Sequence, residues 1–139
     1  MKNTIKYLIL LIIYLVCGVN LQAQNYTFRN VVMSDGLSGL LVNAIYKDSE
    51  GFIWLGTDNG LDRFDGVKVK HFEFRGVDSG RKKRVNCITE TDNKQLWIGN
   101  GIGLWRLNRS GSELQRIVPE KIDCAVNALL ADGDVLYIG

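Results

Sequence analysis

The sequence predicts an all-β fold, a partial β-propeller of about two and a half four-stranded antiparallel blades. Three observations predict it. A unit recurs: Asn43, Asn86 and Asn127 lie 43 and 41 residues apart, Trp54, Trp97 and Tyr137 lie 43 and 40 apart, and Gly56, Gly99 and Gly139 follow the aromatic at the same interval. A period of about 40–45 residues with four strands per unit is the mark of a propeller blade. Each unit is built from short apolar runs bounded by Asp, Asn and Gly, which reads as strands joined by hairpins. Finally, no amphipathic helix of useful length interrupts them. An open antiparallel sheet or a β-sandwich is the alternative architecture; the regular spacing inside one chain argues for repetition.

Residues 1–23 read as a secretory signal peptide. Lys2 and Lys6 form a basic start, Tyr7 to Val19 is an apolar run of 13 residues, and Leu21-Gln22-Ala23 ends on a small residue suited to cleavage. The run is short of the about 20 apolar residues that a membrane helix needs, so an uncleaved anchor is the lesser alternative. Lipidation at Cys17 is disfavoured by the bulky Leu15-Val16 before it. Cleavage after Ala23 leaves 116 residues with 15 basic and 15 acidic side chains, hence no net charge. Nothing in that balance favours nucleic acid or a membrane surface; membrane contact is expected only through the signal peptide or segments beyond this chain.

Residues 24–40 form a lead-in, with one strand expected over Tyr26–Met33 that would close a last blade. Blade 1 is assigned to residues 41–80, with strands at Leu41–Tyr46, Phe52–Gly56, Leu61–Phe64 and Val69–Phe74. Blade 2 takes residues 81–121, with strands at Val85–Thr89, Gln95–Gly99, Leu104–Leu107 and Leu114–Val118. A third blade, residues 122–139, offers Val126–Leu130 and Val135–Ile138 before the chain stops. The runs Phe52-Ile53-Trp54-Leu55 and Leu96-Trp97-Ile98 lack alternation, as expected of strands sandwiched between neighbours. Trp54 and Trp97 are read as core, and the Gly two residues on as a point of close backbone approach. The terminal blades of such an array would expose apolar faces. Residues 24–139 alone are therefore expected to be marginal and aggregation-prone; a cooperative, concentration-independent thermal transition of the isolated monomer would contradict this. Cys87 and Cys124 are read as two small buried thiols.

Val42 to Gly66, VNAIYKDSEGFIWLGTDNGLDRFDG, resembles the two-component regulator propeller repeat, with its V-x-x-I, D-x-x-G-x-I-W-I-G-T and G-L-x-R-F/Y pattern. Ser34 to Ser38, SDGLS, resembles the lead-in to the first such repeat. Repeat two departs at Asn100 and Lys94, and repeat three at Tyr137. The resemblance implies an extracytoplasmic propeller at the N-terminus of a membrane sensor, frequently a hybrid histidine kinase that reads carbohydrate. On that reading the chain is the first part of a truncated sensor. It is not an enzyme, takes no cofactor, recognises a carbohydrate ligand, and signals to downstream sensor-kinase domains absent here. The alternatives are a fragment of a polysaccharide-degrading propeller enzyme and a truncated gene product without independent activity.

Residues that the repeats share are read as architecture, and those where they disagree as candidates for ligand contact. Asn43, Asn86 and Asn127 are expected to tie strand ends or blades together. Trp105 replaces Asp62 at its slot: exposed, it is a contact platform; buried, it is packing. Asn100 replaces Thr57. Arg81, Lys82, Lys83 and Arg84 form a basic connection between blades, read either as a solvated loop or as a contact for an anionic ligand. No catalytic residues are assigned: Asp48, Asp58, Asp62, Asp65 and Glu50 sit in or beside turns, where Asp bonds its own backbone. His71, the only histidine, has no second ligand in view, so no metal site is assigned.

Overall fold

The computed structural model describes residues 3–8, 27–76, 83–108, 111–117 and 124–139. Residues 3–8 are helical, and no helix among the described residues is long and apolar enough to cross a membrane. Most of the apolar run and the cleavage site at Ala23 lie outside the described residues.

Ten strands follow. β1 (Val42–Lys47), β2 (Ile53–Thr57), β3 (Leu61–Phe64) and β4 (Val69–Phe72) form one antiparallel meander in sequence order. β5 (Val85–Glu90), β6 (Leu96–Asn100), β7 (Gly103–Leu107) and β8 (Leu114–Ile117) repeat it. β9 (Leu129–Asp132) and β10 (Val135–Ile138) make a two-stranded third sheet. The partial propeller expected from the repeats is therefore what the chain forms.

The repeated residues have local jobs. Asp48 Oδ1 accepts the backbone N–H groups of Glu50 and Phe52, at 3.0 and 2.8 Å, and closes the β1–β2 turn. Its Oδ2 takes the Trp54 indole N–H at 2.7 Å, which fixes the ring. In blade 2 Thr91 does the second job, accepting from Trp97 Nε1 at 3.3 Å. Asn43 and Asn86 are each the extra residue of a β-bulge: Val42 and Ala44 pair with Thr57 and Gly56, Val85 and Cys87 with Asn100 and Gly99. The third repeat bulges likewise, since the backbone N–H groups of Asn127 and Ala128 both donate to the Gly139 carbonyl. The bulge turns the Asn side chain out of the ladder. Asn86 Nδ2 then donates to Val126 O and Asn127 Oδ1, at 3.0 and 3.1 Å, and ties the second sheet to the third.

The β3–β4 turn rests on Asp65, whose Oδ1 accepts from Lys68 N at 2.7 Å and Val67 N at 2.8 Å. These bonds to the Lys68 and Val67 backbone favour the charged form and lower the Asp65 pKa. A carboxyl whose folded pKa is depressed stabilises the fold above its unfolded pKa, and that contribution is lost as pH falls through the folded value. Carbon-detected titration of the Asp65 carboxyl should therefore give a midpoint below the usual aspartate range; a midpoint at or above it would contradict the turn geometry.

The larger apolar cluster lies between blades 1 and 2. Trp54, Leu61 and Phe72 come from blade 1, Phe74 from the segment after β4, and Val85, Leu96, Ile98, Trp105 and Leu114 from blade 2. Trp54 meets Phe72 with ring centroids 5.2 Å apart, and Phe74 meets Trp105 edge-on at 4.9 Å. The repeated glycines let the next blade come this close. A Cβ on Gly56 would stand 2.5 Å from Val85 Cγ1, and one on Gly99 would stand 2.6 Å from Val126 Cγ1. Because Val85 is fully buried, Gly56→Ala is expected to cost about 1–3 kcal/mol by overpacking, read from denaturant midpoints; no change would contradict this contact.

Three expectations are corrected. The strand over Tyr26–Met33 is not formed: residues 27–32 are not strand, and Met33–Asp35 is a 3-10 turn. A strand needs a partner for its N–H and C=O groups, and no neighbouring strand lies beside this segment among the described residues. Blade 1 does not expose its Leu55 and Phe64 face, because Leu37 and Val31 of the lead-in cover it, with Ile53 and Val69 alongside. Trp97 is half-buried, whereas Trp54 is core. The side of blade 2 that carries Trp97 is the one turned to the two-stranded third sheet.

Candidate functional site

In an antiparallel meander the first and third turns lie at one end of the sheet. The second turn and the connections between blades lie at the other. Two of the positions where the repeats disagree, Thr57 against Asn100 and Asp62 against Trp105, fall at this second end. Thr57 closes β2 and Asp62 sits in β3; their counterparts are Asn100 and Trp105.

In blade 1 these positions hold a buried polar cluster. Thr57 and Asp62 are both 0% exposed. Asp62 Oδ2 accepts from the backbone N–H and the hydroxyl of Ser38, both at 2.8 Å. Its Oδ1 lies within hydrogen-bond distance of His71 Nδ1, at 2.8 Å. Ser38 Oγ also lies 3.0 Å from Thr57 Oγ1, and Asn59 Nδ2 donates to Ser38 O at 2.9 Å. The buried Asp62 carboxyl group thus has three hydrogen-bond partners, which satisfies both its oxygens. The Ser38–Asp62–His71 order places the carboxylate in the middle, so the hydroxyl and the imidazole do not form a nucleophile–base pair.

In blade 2 the same two positions meet each other. Asn100 Oδ1 accepts from Ile102 N at 3.0 Å and Trp105 Nε1 at 3.2 Å. Trp105 is 2% exposed and packs on Phe74, so it serves packing and not an exposed platform. Asn100 is likewise fully buried, and its Nδ2 is the one buried side-chain polar atom without a hydrogen-bond partner among the described residues. Of the basic connection, Lys83 is half-buried and Arg84 exposed, while Arg81 and Lys82 lie outside the described residues. The structure therefore brings Asn100 to Trp105 and leaves Arg84 open to solvent.

Two features escaped the sequence reading. Asp62 and His71 are register partners across the β3–β4 hairpin, as are Arg63 and Lys70; counting outward from the Asp65-Gly66 turn would have paired them. The second feature is a groove of about 1170 Å³ at the opposite end of the sheets, lined in part by Phe52, Arg63, Lys70, Gln95 and Trp97. The Arg63 guanidinium stands 4.2 Å over the Phe52 ring. Among the described residues no group of three His, Cys, Asp or Glu side chains is arranged to hold a metal ion.

Cys87 is half-buried and Cys124 exposed, which corrects the reading of two buried thiols. Burial pushes the Cys87 thiol pKa up, opposed by a backbone hydrogen bond at Gly99. Since the thiolate is the reactive form, Cys124 should alkylate about tenfold faster or more than Cys87 at neutral pH. Peptide-resolved mass spectrometry reads the two rates; equal rates would contradict the packing around Cys87.

Residues 36–59 match the model of the family described as two component regulator propeller. The match runs from the lead-in glycine through β1 and β2 to the turn after Thr57. This stretch of the chain is similar to a two-component regulator propeller repeat. Over 79 residues, 57% of the chain, it is 33% identical to histidine kinase P4 of Formosa agariphila, and it spans 6% of that protein. Among solved structures it is similar to the extracellular domain of the hybrid two component system BT3049 from B. thetaiotaomicron. That likeness has a TM-score of 0.67 and 24% identity, over 82% of this chain and 18% of that one. The extracellular domain of BT4673 from the same organism gives 0.62 and 20%, over 82% and 17%. Virginiamycin B lyase from Staphylococcus aureus gives 0.51 and 17%, over 68% and 33%. At these identities the structural likenesses show the fold, a propeller, which hosts many functions.

Proposed function

We propose that the chain is the N-terminal part of an extracytoplasmic, ligand-sensing β-propeller of a two-component sensor, exported by a signal peptide cleaved near Ala23. It recognises carbohydrate together with the rest of the propeller and signals to a histidine kinase elsewhere in the full protein. The observation that carries this reading is the regulator-propeller match at residues 36–59, in a chain whose flanking residues repeat the same blade. The 33% identity to a histidine kinase over 79 residues supports the same context. Residues 24–40 serve as lead-in, 41–80 and 81–121 as blades, and 122–139 as the start of a third. The chain itself does no chemistry. The lyase likeness bears on fold alone, and among the described residues no arrangement of side chains favours an enzymatic reading.

Arg81, Lys82, Lys83 and Arg84 contact acidic groups of the ligand; of the described pair, Arg84 directly precedes Val85, the register partner of Asn100. The test uses the intact sensor carrying this chain, with a transcriptional reporter and a panel of neutral and acidic oligosaccharides. One glycan class is expected to switch the reporter on; silence across the panel would overturn carbohydrate sensing. Lys83→Ser with Arg84→Ser should weaken the response to an acidic glycan by about tenfold, the loss of one charge-assisted contact, and spare a neutral one. Equal effects on both would remove the charge contact.

A further inference from the structure

The face of blade 1 covered by the lead-in corresponds, slot by slot, to the face of blade 2 that packs on blade 1. Ile53, Leu55, Asp62 and Phe64 stand where Leu96, Ile98, Trp105 and Leu107 stand in the next repeat. The blade 2 residues pack with Trp54, Leu61, Phe72 and Phe74. Their blade 1 counterparts Ile53, Leu55 and Phe64 pack with Val31 and Leu37. The contrast at one slot is chemical. Trp105 meets an aromatic ring, Phe74, whereas Asp62 meets the hydroxyl and amide of Ser38.

Each residue of Asp35 to Gly39 fits this contact. Asp35 Oδ2 accepts from Val32 N at 3.0 Å and shapes the turn. Gly36 has φ +102°, and a Cβ there would lie 3.4 Å from Val69 Cβ. Leu37 is 7% exposed and supplies the apolar plug. Ser38 makes the bonds to Asp62 and Thr57. Gly39 lies so close that a Cβ would stand 2.9 Å from Thr57 Oγ1 and 3.0 Å from Thr57 Cβ. The segment is joined to the blade by side-chain bonds and by the Asp58 N–H to Leu41 carbonyl bond, 3.0 Å, and not by a strand ladder. Elements held this way open at lower free energy than the laddered core.

We propose that residues 31–41 are a releasable strap that caps the first blade, keyed to it by Asp62. The strap does for blade 1 what blade 1 does for blade 2, covering an apolar face that a repeat array must bury. Asp62 is the specifying residue, because the slot that takes an aromatic between blades takes a carboxylate under the strap. Releasing the strap uncovers Leu55 and Phe64 and leaves the Trp54–Trp105 cluster intact. The inference is independent of which ligand the sensor reads.

The test compares the chain with Asp62→Ala, which removes the key from the blade, and Gly39→Val, which lifts the strap from its own side. A protease that cuts after Leu and Met, mapped by mass spectrometry, reads opening between residues 33 and 41. An apolar dye reads the uncovered face, and tryptophan emission reads the blade core. Both variants should raise cleavage of the strap about tenfold or more and increase dye binding, with tryptophan emission unchanged. Unchanged cleavage would overturn the proposal. So would cleavage that rises only together with loss of the native emission, since strap and blade would then be one cooperative unit.

Discussion

Trp105→Ala is expected to cost the chain about 3–5 kcal/mol, the range for emptying a buried tryptophan site. The side chain is 2% exposed, donates its indole N–H to Asn100 Oδ1, and stands edge-on to Phe74. Its loss leaves a cavity between the blades and takes one of two donors from the fully buried Asn100 oxygen. For a domain of ordinary marginal stability this is enough to populate the unfolded state. Chemical denaturation followed by circular dichroism measures the change. A loss under about 1 kcal/mol would show that the residue is not a packing element. Trp105→Phe keeps most of the volume and an aromatic partner for Phe74, and should recover more than half of the loss.

Trp54→Ala is expected to be as severe, about 3–5 kcal/mol, and Trp97→Ala clearly milder although the two occupy one repeat slot. Trp54 is 2% exposed, is bonded to Asp48 Oδ2 at 2.7 Å, and packs on Phe72 inside the interblade cluster. Trp97 is half-buried and its bond to Thr91 is the longer, at 3.3 Å. The difference follows from neighbours and not from side-chain identity: blade 2 closes over Trp54 with four strands, while the third sheet contributes two. Parallel urea titrations of the two variants measure it. Equal losses would mean that burial between blades is not what the tryptophan slot contributes.

The residues explain why some of this was legible beforehand. A strand covered on both sides carries no alternation, and Phe52-Ile53-Trp54-Leu55 is covered by blade 2 on one face and by the lead-in on the other; the spacing of Trp54 and Trp97 gives the blade repeat. The lead-in was misread because Tyr26–Met33 looks like a strand by composition, yet a strand exists only where another chain segment satisfies its backbone. The glycines of SDGLSG were visible, but their purpose lies in Val69 and Thr57, distant in sequence. His71 looked solitary because pairing was sought along the chain, whereas its partner Asp62 lies directly across the hairpin. The disagreement between Asp62 and Trp105 reads, in the sequence, as a candidate for ligand contact. What it marks in the structure is a change of neighbour, Ser38 against Phe74, a distinction that the two residues in isolation do not contain.

Successive repeats fold as blades packed face to face, with Phe74 and Trp105 carrying contact from blade 1 to blade 2. A double-mutant cycle of Phe74→Leu and Trp105→Leu, measured by denaturant unfolding of the same chain, is the direct test. Two rings in edge-on contact should show a coupling energy of about 0.5–1.5 kcal/mol. Strictly additive losses would place the two rings out of contact and contradict the stacking of blade 1 on blade 2.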